Sequence, residues 1–392
     1  PQYGAREGLP FLVIIVAMVV MGEGLPDRGS VDTWKLPAVP MAKVTALNVS
    51  IPVAVAVIGL LTLGPLWRGA IMTTLISMVL ALSLVVLTGF GGQTSLAQMA
   101  FAGVAGFALS KIATDWGVPF PFAPLLAATV AMVFGVIVGL PALRVRGTNL
   151  AIITLAGGVA INEFVFKNPK YVGDASTGGA KVPNPKLGPW DLGLILGDQA
   201  SRPVFGMLLI AIGLVVALAV ANLRRSGSGR RMIATRSNER AAAALGISVF
   251  RTKIQVFAIS SFVAGLAGCM IAYRFGSVSD ASFGTIASLT ALAVAYLGGI
   301  TCVSGAVTAG ITATSGVAFY TISQATGSLG QWEALIGGVL LILTAILNPE
   351  GIAGGIRAKV AEKRAEAAAA SAASDAAPGS DSSGKLAAAA PN

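Results

Sequence analysis

The side chains best suited to contact chemistry lie between Arg224 and Lys253, in the run RRSGSGRRMIATRSNERAAAALGISVFRTK. Eight of these residues are Lys or Arg (Arg224, Arg225, Arg230, Arg231, Arg236, Arg240, Arg251 and Lys253), against one acid, Glu239. Within the run, NERAAAALGI is a helix-forming segment that Gly246 can stop. Guanidinium groups beside a single carboxylate form charged hydrogen bonds with a protein surface, so the chemistry expected here is docking. Bond-making chemistry has little to work with. The chain contains no histidine, which removes the commonest general base, metal ligand and proton relay. Cys269 and Cys302 stand in apolar, Gly-rich surroundings without metal-like spacing, and each reads as a small buried hydrophobe. No catalytic, cofactor or metal site is expected.

The elements that must carry these residues are membrane helices. The 392 residues are 55% hydrophobic and 11% charged, with a mean hydropathy of +0.80. A soluble domain carries about a quarter charged residues. A net charge of +10 could suggest nucleic acid. The basic residues sit in loops and tails beside apolar spans, however, so anionic headgroups and topology account for them, and a lipid bilayer is the expected surroundings.

At about 20 residues per crossing, eleven windows qualify: 9–22, 43–64, 68–90, 93–113, 120–140, 148–166, 203–223, 254–275, 284–300, 304–325 and 333–348. Two stretches at membrane depth, GFGGQTSLAQMA (89–100) and LGGITCVSGA (297–306), are Gly-rich and polar. Non-helical backbone survives at that depth only when buried in protein or lining a water-filled path, so both are predicted helix breaks. Gln93, Thr94, Ser95 and Gln98 in the first break either line a path for solute or satisfy the broken backbone. Glu163 and Arg274 either contact a solute or reach the interface from outer helix ends, and Glu333 reads as interfacial.

Lys and Arg near helix ends bias a loop towards the cytoplasm. Placing 224–253 inside puts 23–42, 141–147 and the C-terminal tail inside as well, each with basic residues. Gly64–Trp67, Thr114–Pro119, Phe275–Phe283 and the loop 167–202 then fall outside. The last holds five basic and three acidic residues, a mild dissent. The N-terminus is expected outside and the C-terminus inside. Loop 167–202 is either a plain connector or, at its length, a functional surface. Residues 357–392 turn Ala-, Ser- and Gly-rich and are expected to be a disordered cytoplasmic tail. Segments 7–24 and 333–351 share a leading Glu, an apolar span and a trailing Glu-Gly, either by chance or because 1–30 is the last helix of a preceding, related half.

From about Leu80 to Gly351 the sequence resembles the LivM-type permeases of branched-chain amino acid ABC importers. GFGGQTSLAQMAFAGVAGF, GLPALRVRGTNLAIITLA, NERAAAALGISVFRTKIQVFAISSFVAGLAG, LGGITCVSGAVTAG and LLILTAILNPEGIAGG carry the likeness, in the family's order. The resemblance implies an all-α polytopic membrane protein of about 10–11 transmembrane or half-membrane helices with ABC importer permease architecture. Residues 43–356 would be the transmembrane domain and 224–253 its cytoplasmic coupling loop, with 1–42 an N-terminal helix and linker that is the end of a preceding permease half if the echo between 7–24 and 333–351 is not chance. NERAAAALG would be its coupling helix, with Glu239, Arg240, Ala241, Ala242 and Gly246 on the matching positions.

Implied partners are a second permease subunit or fused LivH-type half, two ATP-binding subunits that hold ATP and Mg, and an extracytoplasmic substrate-binding protein, in a bacterial cytoplasmic membrane. Two departures bear on cargo. The family commonly has a Gly-His pair where this chain has Ala97-Gln98, and a bulkier run where it has CVSGAV, so the expected solute is either a branched-chain amino acid or, as these departures suggest, a related small polar molecule.

The chain carries no GxxxxGK[ST] run, so nucleotide hydrolysis must come from other subunits. The alternative is a secondary transporter or channel driven alone by an ion gradient. Such proteins place carboxylates at midplane breaks, and neither 89–100 nor 297–306 contains one.

Overall fold

The computed structural model describes residues 39–40, 46–142, 148–168, 179–194, 201–326, 351–357 and 359–360. The spans expected at 9–22 and 333–348, the loop 143–147, the sequence echo apart from Gly351, and the tail beyond residue 360 lie outside the described residues.

Long apolar windows form helices because hydrocarbon leaves a backbone no partners but its own. In chain order these are α1 (Ala46–Thr62), α2 (Pro65–Leu84), α3 (Gln98–Thr114), α4 (Phe122–Ala142), α5 (Thr148–Ile161) and α6 (Pro203–Arg225). After them come α7 (Gly227–Ser237), α8 (Glu239–Ala244), α9 (Val249–Phe275), α10 (Thr285–Gly298), α11 (Val303–Thr312) and α12 (Val317–Thr326). Wider π-helical turns extend α2 through Val85–Phe90 and α5 through Asn162–Phe166. Among the described residues, six helical segments are long and apolar enough to cross a membrane.

At the centre, α9 lies against α3 and α4. Small residues permit this: a Cβ on Gly268 would sit 1.9 Å from the carbonyl oxygen of Ala102, so the two backbones touch. Aromatic rings fill the neighbouring space. Phe107 stacks on Phe166 at 4.9 Å between centroids, and Phe166 meets Phe283 at 6.3 Å. Large apolar side chains point outward on α1 (Leu47, Ile51, Val55, Ile58) and on α4 (Phe122, Leu125, Val133, Ile137), as they must where the surroundings are lipid or another membrane subunit.

The window 304–325, expected as one crossing, is two ten-residue helices separated by Ala313–Gly316, with Ser315 in the left-handed region at φ 59°. Packing against α2 explains the break. Gly310 sits against the Thr74 carbonyl, and the amide of Val317 donates to Thr74 Oγ1 at 3.1 Å, which starts α12 afresh. Loop 167–202 also holds more structure than a connector needs. Its strand β1 (Ala180–Lys181) pairs antiparallel with β4 (Ser277–Val278) just after α9, and β2 (Lys186–Leu187) pairs with β3 (Trp190–Asp191).

The loops read as external gather at one end of the bundle. Ser110 Oγ donates to the Lys181 carbonyl at 2.6 Å, Ser201 Oγ donates to that of Pro65, and Phe120 meets Tyr273. Helices α7 and α8 sit at the opposite end of α9.

Candidate functional site: a basic elbow beneath two broken helices

Ser226 opens the elbow by capping α7, its Oγ accepting from the Gly229 amide at 3.2 Å. Asn238 then separates α7 from α8. Its extended backbone breaks the helix, and its Oδ1 accepts from the amides of Arg240 (3.0 Å) and Ala241 (3.1 Å). Two otherwise orphaned donors are thereby satisfied. Glu239, in the first turn, forms an ion pair with Lys253 at 2.8 Å, which ties α8 to the start of α9. Gly246, at φ +79°, ends the element in a conformation that a side chain resists.

The five residues expected on a coupling helix therefore have separate roles. Ala242 is buried against the elbow, Glu239 holds it to α9, and Gly246 turns the chain. Arg240 and Ala241 face outward with Ala243 and Ala244. The exposed face also carries Leu245, 80% exposed, and Phe250, 57% exposed. The sequence reading passed over both. A large apolar residue directly before the stopping glycine, in a strongly basic loop, was the available signal for Leu245.

Above the elbow, the chain leaves helical geometry at residues 91–97 and again at 299–302. Five backbone amides of the first break find partners within the protein. The amides of Gly91, Gly92 and Gln93 donate back to Val86, Thr88 and Leu87, and Thr88 Oγ1 donates to the Gln93 carbonyl. The Leu96 amide donates to Thr154 Oγ1 on α5 at 3.1 Å, and that of Ala97 to Ser95 Oγ.

Of the four polar residues expected along a solute path, Gln93, Ser95 and Gln98 are buried and Thr94 is half-buried. Gln98 Nε2 donates to Ser260 Oγ at 2.7 Å, and Ser260 Oγ donates to the Ser83 carbonyl at 3.0 Å, linking α3, α9 and α2. Ser95 serves its own loop. The four are thus neighbours in the chain, but only Gln98 reaches across to another helix by a side-chain hydrogen bond. The side-chain carbonyls of Gln93 and Gln98 and the hydroxyl of Thr301 are buried with no hydrogen-bond partner among the described residues. Three unsatisfied polar atoms at two breaks are costly in an apolar protein interior.

The breaks touch. A Cβ on Gly89 would lie 2.3 Å from the Ile300 carbonyl oxygen, so only glycine lets the two irregular segments meet. The second break is tight as well: Gly305 abuts the Gly299 carbonyl, and Cys302 Sγ accepts from the Gly305 amide at 3.2 Å. From the elbow, Arg236 reaches this junction, its Nη1 donating to the Gly89 carbonyl at 2.6 Å. Burial pushes the Arg236 guanidinium below its ordinary pKa, an effect that nearby Tyr296 partly offsets. The group still carries its charge, as arginine does throughout proteins.

Other expected residues sit apart. Buried Glu163 pairs with Lys167 at 2.6 Å within the π-helical turn of α5. Arg274 donates to Thr73 Oγ1 and lies over the Phe275 ring at the opposite end of the bundle. Among the described residues, no group of three His, Cys, Asp or Glu side chains could hold a metal ion.

Comparisons with known proteins agree with this architecture. The chain is 29% identical over 309 residues to the high-affinity branched-chain amino acid transport system permease protein LivM of Salmonella typhimurium, covering 75% of this chain and 71% of that protein. The Escherichia coli LivM is likewise 29% identical, over 71% of this chain and 68% of its own length. A shorter stretch of 105 residues, 27% of this chain and 26% of the relative, is 37% identical to the E. coli xylose transport system permease protein XylH. The family model for the permease component of branched-chain amino acid transport systems matches residues 67–345, and with that span the chain belongs to this family of multi-pass membrane permeases.

Proposed function

We propose that this chain is the transmembrane subunit of an ATP-driven importer, with α8 as the helix that grips a partner ATPase. One observation carries the reading. A short helix, capped at one end by Asn238 and stopped at the other by Gly246, is held to α9 by the Glu239–Lys253 pair and presents Ala, Arg240 and Leu245 outward. Small side chains allow close seating in a cleft, and an exposed leucine on a basic, non-membrane loop has surface to bury there.

Two ATP-binding subunits would hold ATP and Mg. Their closure would move α8, and the helices would expose the two breaks alternately to each side. A second permease subunit or fused half and an extracytoplasmic binding protein complete the assembly, with the elbow and the C-terminus cytoplasmic and the N-terminus outside. The cargo is a branched-chain amino acid or a related small polar solute. That class suits polar groups such as Gln93 and Gln98 within an otherwise apolar bundle.

The test is reconstitution into vesicles with whatever ATPase and binding protein co-purify. ATP inside the importer's nucleotide side should drive uptake of labelled leucine or of another small polar solute. Solute movement by the chain alone, powered by a proton or sodium gradient, would overturn the proposal.

A further inference from the structure

We infer that Arg236 is a positioning residue that holds the two membrane breaks closed against each other from the elbow side. The contact geometry converges on one backbone position. Gly89 has its carbonyl bound by Arg236 Nη1 at 2.6 Å, while its Cα face lies directly on the Ile300 carbonyl. Gly92, three residues on, packs against the stem of the same arginine: a Cβ there would stand 2.7 Å from Arg236 Cγ. The guanidinium and its stem therefore clamp Gly89 and Gly92 from below, and Gly89 rests on 300–301.

This junction also carries unsatisfied polar groups, Gln93 Oε1 and Thr301 Oγ1. Such groups favour an alternative arrangement in which they reach water, so something must oppose opening. Arg236 is placed to do so, because it binds a carbonyl that the irregular backbone offers and because its charge-assisted bond is stronger than a neutral one.

Its location adds a consequence that rests on the reading of α8 above. Arg236 lies in the last turn of α7, two residues before the Asn238 cap of α8. A movement of α8 large enough to rotate that cap shifts Arg236 relative to Gly89 and frees the junction.

The protein supplies its own probe. Cys302 lies in the second break beside Thr301, and Cys269 is buried in the C-terminal part of α9; both are free thiols. The experiment measures the rate at which N-ethylmaleimide modifies each cysteine in the purified full chain, by mass spectrometry, for the wild type, Arg236→Gln and Arg236→Lys. The quantity read is the ratio of Cys302 to Cys269 labelling.

Arg236→Gln shortens the side chain beyond reach of the Gly89 carbonyl, and the ratio should rise about tenfold, equivalent to about 1.4 kcal/mol in the opening equilibrium. Arg236→Lys keeps a charged donor and should return most of the way to the wild-type ratio. A ratio that does not move in Arg236→Gln overturns the proposal, whether neither cysteine reacts faster or both accelerate together, since the latter marks an arginine that supports the whole fold. Equal rises in the glutamine and lysine variants overturn it as well. None of these outcomes depends on an ATPase, so failure here is separate from failure of α8 to bind one.

Discussion

Lys253 Nζ and Glu239 Oε1 are 2.8 Å apart, and the pair is unequal: the lysine side chain is 10% exposed and the glutamate 26%. Removing one partner therefore costs a different amount from removing the other. Glu239→Gln strands a nearly buried ammonium and should lower stability by about 1.5–3 kcal/mol, whereas Lys253→Met leaves a carboxylate that can turn to water and should cost about 1 kcal/mol or less. The double variant should resemble Lys253→Met alone. Thermal unfolding of the four proteins in one detergent checks the order, and equal losses for both single changes would remove the asymmetry.

The ends of α8 predict a second series. Asn238→Ala removes the acceptor for the Arg240 and Ala241 amides and should cost about 1 kcal/mol, while Asn238→Asp keeps it. Gly246→Ala forces a side chain into left-handed backbone and should cost about 1–2 kcal/mol. Amide exchange at residues 240 and 241 should quicken about fivefold or more in the alanine variants and stay slow in the aspartate variant. If α8 grips an ATPase as proposed, recovery of that ATPase on purification should follow the same ranking.

Within the bundle, Ser260→Ala should be worse than Gln98→Leu. The first leaves the buried Gln98 amide without an acceptor, a loss of about 1–3 kcal/mol. The second removes an amide whose oxygen has no hydrogen-bond partner among the described residues, and Ser260 Oγ keeps its bond to the Ser83 carbonyl. Chemical denaturation of the two variants decides the matter, and a more damaging leucine would show that the amide has another role.

Helix contact predicts the sharpest contrast. Gly268→Ala places a methyl 1.9 Å from the Ala102 carbonyl oxygen, so α9 and α3 must separate. The expected loss is about 3 kcal/mol or more. Gly227→Ala meets nothing within 4 Å, and as an ordinary surface change it should stay within about 0.5 kcal/mol of wild type. Size-exclusion profiles and melting temperatures of the two proteins test both expectations.

Particular residues show what the sequence made legible. The helical core could be read because apolar runs of crossing length have one stable form in hydrocarbon. Gly89–Gly92 and Gly298–Gly299 announced breaks because glycine and polar residues are out of place at that depth. The Ala-rich run NERAAAALGI and the stop at Gly246 announced α8, while the cap by Asn238 emerged only from the structure. The split at Ala313–Gly316 could not be read, because it depends on Thr74 of α2, some 240 residues away in sequence. Nor could the grip of Arg236 on Gly89, across 147 residues: in the sequence, Arg236 is one of eight basic residues in its loop. The β1–β4 pair was hidden for a similar reason, since strands of two residues leave no periodicity.

Helix α9 has a last consequence. At 27 residues and 1.5 Å per residue it is a rod of about 40 Å. One tip is fastened by Lys253 to the short helix beneath, and the other runs through Gly276 into the strand that joins residues 180–181. A stiff lever gripped at both tips cannot tilt at one without displacing the other. Loading of the far surface by a visitor should therefore be felt at Glu239, and a tug on Glu239 should loosen the seam at Val278.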